Sequence, residues 1–80
     1  MITPEMVKAV REYAAKHADY NSNGWDIIVE CYGDEEVREG LEDALNDGKP
    51  METEQHAIDY FSWLTNLLHE QRREIGSTAF

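Results

Sequence analysis

The segment DYNSNGWDIIVE, residues 19–30, has the residue types and spacing of a calcium-binding loop. Its pattern is D-x-[DN]-x-[DN]-G-x5-E, in which oxygen atoms at alternate positions surround the ion and a final glutamate binds it with both carboxylate oxygens. Asp19, Asn21 and Asn23 would supply the early ligands, and Glu30 would supply the last one. The sequence therefore contains a candidate site for calcium.

The residues around this pattern favour a different interpretation. The ninth loop position, often a ligand through a water molecule, is Ile27, and the eighth is the acidic Asp26. Gly33 would end the exiting helix after a short run, and the chain has no second loop of this kind. We therefore interpret the segment as a helix end, an asparagine-rich turn and a new helix anchored by Trp25. Calcium binding is the weaker alternative.

The three histidines and the single cysteine do not form paired ligands. His17, His56, His69 and Cys31 lie far apart in sequence, whereas structural zinc sites use closely spaced pairs. Cys31 has no basic neighbour in sequence that would stabilise a thiolate, and no nucleophile elbow or phosphate-binding glycine loop is present. We therefore predict that the protein is not an enzyme and holds no cofactor and no metal. One unpaired cysteine also suits a reducing cytoplasm.

The negative charge of the chain is concentrated in its middle. The 80 residues carry a formal net charge of −10. The segment from Asp26 to Asp59 has twelve acidic and two basic residues, while acids and bases balance in the rest of the chain. Direct nucleic-acid binding needs a basic footprint, so this charge excludes it and favours a basic surface as the partner.

The acidic residues are densest on one predicted helix, which follows Gly33. Glu35, Glu39 and Glu42 fall on one line of this helix, with about 5–6 Å between neighbours at three- and four-residue spacing. This separation is close to the distance between successive phosphates on a nucleic-acid strand. The strand rises about 3.4 Å per nucleotide along its axis, and the oblique path of the backbone makes the distance between phosphates longer. Glu42, Asp43 and Asp47 lie near the carboxyl end, where the helix dipole disfavours acids. They lower the stability of the helix there, which suggests that they serve a function. A merely solvated acidic face is the alternative.

The predicted partner-binding set consists of six carboxylates of this helix and two extensions before it. These residues are Glu35, Glu36, Glu39, Glu42, Asp43, Asp47, Asp26 and Glu30.

Helical periodicity predicts the elements that carry these residues. Thr3-Pro4 is a strong helix start, and the third helix turns Val37, Leu41, Ala44 and Leu45 inward. The stretch 25–32 fits a helix or a short strand. A lone strand would leave its backbone groups unpaired, so we prefer the helix and keep an α+β fold with a strand at 25–32 as the alternative.

A fourth and longest helix is predicted from Thr53 to about Ile75, with a frayed tail over 76–80. We expect the other helices to wrap around it. Beside its core-facing stripe it carries Tyr60, Trp63 and Leu67, together with His56. Aromatic residues are enriched in protein interfaces, so the Tyr60/Trp63/Leu67 stripe is a candidate interface for a homodimer or another partner.

Together these patterns predict one small all-α domain over residues 1–80, a bundle of three to four helices. The longest aliphatic run, residues 27–29, is far too short to span a membrane. The first residues lack the basic and apolar regions of a secretory signal. We therefore expect a cytoplasmic protein that does not bind membranes.

Four short segments carry a resemblance to known proteins: NGWD (23–26), VEC (29–31), TE (53–54) and AI (57–58). Over roughly residues 21–75 the chain resembles short acidic proteins of bacteriophages and mobile elements. In size, acidity and helical content it is similar to anti-CRISPR proteins that imitate DNA. The resemblance implies an inhibitor that binds a host defence complex of the CRISPR-Cas type.

We therefore expect the chain to inhibit a nucleic-acid-binding complex by imitating the charge of DNA. Two alternatives belong to other classes. One is a dimeric helical adaptor that uses the aromatic stripe, and the other is an ion binder with a single EF-hand-like loop at 19–30.

Overall fold

The computed structural model describes residues 1–78, and the side chains of residues 1–74. These residues form four helices: α1 Pro4–His17, α2 Trp25–Cys31, α3 Asp34–Asn46 and α4 Glu54–Thr78. No strand occurs among them. The predicted all-α bundle is confirmed, and the alternative with a strand at 25–32 is wrong because this stretch forms α2.

Side-chain and backbone caps set the limits of the first and third helices. Thr3 Oγ1 accepts a hydrogen bond of 3.2 Å from the Met6 amide at the start of α1. At the start of α3 the Gly33 amide donates to Glu36 Oε1 at 2.7 Å. The last turn of α3 is closed by Gly48, whose φ of 85° lies in the left-handed region that favours glycine. Local sequence therefore determines where these helices begin and end.

One apolar core lies between the four helices. Its fully or nearly fully buried members are Met6, Val7, Val10, Ala14, Trp25, Ile28, Val37, Leu41, Ala44, Met51, Ala57 and Phe61. Phe61 is its largest fully buried side chain, and its ring meets the Tyr32 ring edge-on with 6.0 Å between centroids. Each such aromatic ring removed from water stabilises the fold by up to about 3 kcal/mol.

The arrangement of helices differs from the expected one. The most extensive packing is made by α1, which lies against α2, α3 and α4, while α3 and α4 touch only over a small area. The central helix is thus α1, not α4. The reason lies in α3, whose buried side chains form one narrow apolar stripe: Val37, Leu41 and Ala44. Because this stripe packs mainly on α1, little of it is left to contact α4.

Burial at single positions also departs from the periodicity. Leu45, predicted to face inward, is 39% exposed. Thr65 and Met51 are buried instead. The Thr65 hydroxyl remains satisfied because it donates to the Ser62 carbonyl at 2.9 Å. The helix predicted to end near Ile75 continues to Thr78, while residues 79–80 of the predicted frayed tail lie outside the described residues.

The molecule is elongated along α4. Its principal extents are 44 × 26 × 18 Å, and 25 helical residues span about 37 Å at 1.5 Å per residue. Within the described residues no helix combines the length and the apolar character needed to cross a membrane.

The turn before α2 approaches α4 closely at Gly24. A Cβ atom at this position would overlap the carbonyl oxygen of Thr65, a backbone atom that cannot move aside. Gly33, at the matching position before α3, is different, because a Cβ there would meet only the end of the flexible Glu36 side chain. Of these two glycines, only Gly24 is required by packing.

We expect Gly24→Ser to lower the free energy of unfolding by about 2 kcal/mol, since a new Cβ must push the α2 turn away from α4. Serine is a good N-cap residue. A loss of stability would therefore come from the clash of its Cβ with Thr65 and not from a weaker helix cap. Urea unfolding followed by circular dichroism measures it. Gly33→Ser is the matched control, with a change within about 1 kcal/mol. Equal losses in the two variants would contradict the close approach.

Candidate protein-binding surface and the Arg72 clasp

The acidic face of α3 is exposed as predicted from the helical wheel. All six of its predicted contact residues lie on the surface: Glu35, Glu36, Glu39, Glu42, Asp43 and Asp47. The buried residues of α3 are Val37, Leu41 and Ala44, which occupy the opposite side of the helix. Burial of that stripe against the core therefore presents the carboxylates to solvent.

Part of this charge is compensated within the chain. Arg38 Nη2 lies 2.8 Å from Glu35 Oε1, and Arg38 Nη1 lies 3.9 Å from Glu42 Oε1. The hydrogen bond that Arg38 donates to Glu35 and the nearby negative charges raise the pKa of the Arg38 guanidinium above its usual value. Glu36 is occupied by the helix cap. These contacts reduce what Glu35, Glu36 and Glu42 can offer a partner.

Two carboxylates of α3 and the one at its C-cap form no close ion pair with any described residue. Glu39, Asp43 and Asp47 are exposed, and within the described part of the chain no basic nitrogen lies within 4.0 Å of them. They belong to the middle and the carboxyl end of the helix and its cap. The strongest part of the acidic surface therefore lies toward the loop that joins α3 to α4.

The two predicted extensions of this surface have different environments. Glu30 is exposed on α2, but Asp26 is buried, with 9% of its surface accessible. Asp26 Oδ2 lies 2.7 Å from Nη1 of Arg72 on α4. Asp26, predicted to extend the contact face, is therefore paired inside the molecule and does not lie on the exposed acidic face.

The Arg72 guanidinium also binds the backbone of the turn between α1 and α2. Arg72 Nη2 donates to the carbonyl oxygens of Tyr20 at 2.8 Å and Asn23 at 3.1 Å. It also lies 2.7 Å from His69 Nδ1, which must accept this bond because a guanidinium has donors only. The Arg72 Cζ atom is 4.4 Å from the centre of the Tyr20 ring. We refer to Arg72, Asp26, Tyr20, Asn23 and His69 as the Arg72 clasp.

The candidate calcium loop is organised by its own hydrogen bonds. Asp19 accepts from the Ser22 hydroxyl at 2.8 Å and from the Asn21 amide at 3.0 Å, and these bonds lower the pKa of its carboxyl, the Ser22 bond most. Asn23 Oδ1 accepts from the Trp25 amide. The loop also contacts the guanidinium of Arg72, through the Asp26 carboxylate and the carbonyl oxygens of Tyr20 and Asn23.

Potential metal ligands are not gathered elsewhere either. Among the described residues no group of three or more histidine, cysteine, aspartate or glutamate side chains is placed to hold an ion. His56 Nδ1 accepts from the Glu52 amide at 3.1 Å, and Cys31 is exposed at the end of α2.

The aromatic stripe of α4 lies partly on the surface. Trp63 is 55% exposed and Leu67 is 37% exposed, while Tyr60 is half-buried, with its ring centre 5.8 Å from that of Trp63. Burial, and next the charges of Asp43 and Asp47, raise the pKa of the Tyr60 phenol. The stripe and the strongest part of the acidic surface are therefore neighbours.

A groove lies among α1, α2 and α3. Its volume is about 720 Å³. Val7, Ile28 and Val29 contribute to its apolar floor, and its rim carries charges of both signs, such as Arg11 and Glu12. Two of the rim residues form a salt bridge with each other, since Arg11 Nη1 lies 2.7 Å from Asp34 Oδ1. The groove has no charge preference that would identify a ligand.

Comparison with known proteins adds no relative: no protein-family model, no curated protein and no solved structure matches this chain.

We expect Arg72→Gln to lower the free energy of unfolding by about 3 kcal/mol, because it leaves the buried Asp26 carboxylate without a counter-charge. Arg73→Gln is the matched control, since Arg73 is exposed on the next residue of α4 and its loss should cost within about 0.5 kcal/mol. Adding Asp26→Asn to Arg72→Gln should recover part of the loss. The same stability for the Arg72 and Arg73 variants in urea unfolding would show that the clasp contributes nothing.

Proposed function

We propose that this chain binds a basic surface of a nucleic-acid-binding protein complex and occupies a site meant for nucleic acid. The observation that carries the proposal is the exposure of six carboxylates on α3, in a segment that holds the whole excess negative charge of the chain. Rows of exposed carboxylates on a rigid helix present negative charge to a partner as a phosphate strand does.

The resemblance to acidic phage and anti-CRISPR proteins supports a specific kind of partner. We propose a host defence complex of the CRISPR-Cas type, with inhibition as the outcome and the host cytoplasm as the place of action. Such complexes hold nucleic acid in positively charged channels. An acidic helix bound in that channel would exclude the nucleic acid by charge and by volume.

The ion pairs of Arg38 determine which carboxylates of the acidic face are most available to a basic partner. Glu39, Asp43 and Asp47 have no counter-ion within 4.0 Å in the described chain, whereas Glu35 and Glu42 share Arg38. Exposed charges of one sign steer a partner from a distance of about one Debye length, about 8 Å at physiological salt. We therefore assign most of the attraction to the carboxyl half of α3.

Charge reversal at Glu39 and Asp43 should slow association with the partner by about tenfold or more at low salt, because electrostatic steering acts mainly on the association rate. The partner is first recovered from nuclease-treated host lysate on immobilised protein, and binding kinetics are then measured at low and high salt. The control is charge reversal at Glu12 and Glu70, which changes the net charge equally in the neutral part of the chain. Equal effects of the two double variants would refute a specific acidic face.

A second candidate function, a dimeric helical adaptor, is favoured by the exposure of Trp63 and Leu67. In this case binding depends on burial of apolar surface, which salt does not weaken. Trp63→Ala should then turn a dimer into a monomer in sedimentation experiments, and high salt should leave the dimer intact. A monomer for the unmodified chain at high concentration would exclude this function.

A further inference from the structure

We propose that the groove between the α3–α4 loop and α4 receives an arginine side chain of the partner, whose guanidinium stacks on Trp63 in place of the Lys49 ammonium. This inference rests on the proposed function, since it assumes a basic partner. It adds a specific anchor to the broad attraction of the acidic face, and it gives the aromatic stripe a role in the same interface.

The groove has the shape and the walls for one long cationic side chain. Its volume is about 240 Å³, and it is lined by Lys49, Pro50, His56, Asp59, Tyr60 and Trp63. The rings of Tyr60 and Trp63, tilted by 39° to one another, form two of its walls. Asp59 adds a carboxylate. A pocket with aromatic walls and one acid is typical of sites that hold a cation.

A cation of the chain itself already lies in this groove. Lys49 Nζ is 5.8 Å from the centre of the Trp63 ring, near the outer limit of about 6 Å for a cation–π contact. In the described residues no carboxylate lies within 4.0 Å of this ammonium. The ammonium therefore lies over the Trp63 ring without an ion-pair partner among the described residues.

Lys49 is a replaceable occupant. An ammonium is a compact and strongly hydrated charge, whereas a guanidinium is planar, more weakly hydrated and stacks on aromatic faces. Lys49 also stands in a loop, directly after the left-handed Gly48, and its long side chain is exposed. An incoming arginine can displace it and make a closer contact with the same ring.

Charge complementarity selects a basic partner over a second copy of this chain. Asp59 lines the groove itself, and the charges of Asp43 and Asp47 act on Tyr60 in its wall, so carboxylates outnumber the Lys49 ammonium around it. A second copy would bring an equally acidic segment to the same place, and like charges facing each other oppose association. A basic segment gains from both the carboxylates and the rings.

The test uses the two tryptophans of the chain as separate reporters in the intact protein. Trp63 is 55% exposed, and Trp25 is 5% exposed and serves as the internal control. A capped hexa-arginine peptide is titrated at low salt, and the indole Nε1–H signals are followed by NMR together with the backbone amides of α3. A capped hexa-lysine peptide of equal charge is the comparison.

We expect the Trp63 indole signal to shift with hexa-arginine and less with hexa-lysine, while the Trp25 signal stays in place. Lys49→Gln should tighten hexa-arginine binding, because it removes the competing cation. Trp63→Leu should weaken it about threefold relative to hexa-lysine. Unchanged thermal unfolding of both variants would show that they retain the fold.

The outcomes separate this inference from the proposed function. If the amides of Glu39 and Asp43 shift while the Trp63 indole does not, the groove takes no arginine and the acidic face still binds a cationic chain. If neither shifts, the proposed function fails as well. If Lys49→Gln weakens binding, Lys49 is not a replaceable occupant and the inference is wrong. A Trp63 shift on dilution without peptide would assign the groove to a second copy and overturn it.

Discussion

The fold depends on one largely buried cation, the guanidinium of Arg72. It joins α4 to Asp26, a residue 46 positions away in sequence, and to the backbone of the turn before α2. A helix of seven residues is too short to be stable by itself, so the place of α2 is set by what holds its amino end. Arg72 and the close packing of Gly24 on Thr65 provide that hold.

The acidic helix is stable for reasons that its charge alone does not suggest. Its first turn carries three acids, which the helix dipole favours, and Glu36 closes the cap at Gly33. Arg38 relieves the repulsion between Glu35 and Glu42. The carboxyl end has no comparable relief, since Asp43 and Asp47 stand where the dipole opposes them. The unrelieved charge therefore lies beside the loop, next to Tyr60.

Charge and aromatic surface belong to one region of the molecule. From the sequence, the acidic face and the Tyr60/Trp63/Leu67 stripe looked like features of two different functions. The packing of α3 near the start of α4 brings Asp43 and Asp47 within electrostatic range of Tyr60. An interface with an aromatic anchor and a charged surround combines affinity from burial with fast association.

The sequence by itself determined α1, α3, α4 and the exposed face of α3, whereas it left 25–32 open between a helix and a strand. These features depend on local periodicity and capping, as at Thr3 and Gly48, and neighbouring residues fix both. Only the tertiary structure decided that Asp26 is buried, that Leu45 is exposed, and that the Lys49 ammonium lies near the Trp63 ring. Each depends on a partner distant in sequence or on the shape of a neighbouring element, and no local pattern encodes it. The loop at 19–30 shows the difference: its residues predict a turn followed by a new helix, but the Arg72 side chain that holds this turn comes from another helix.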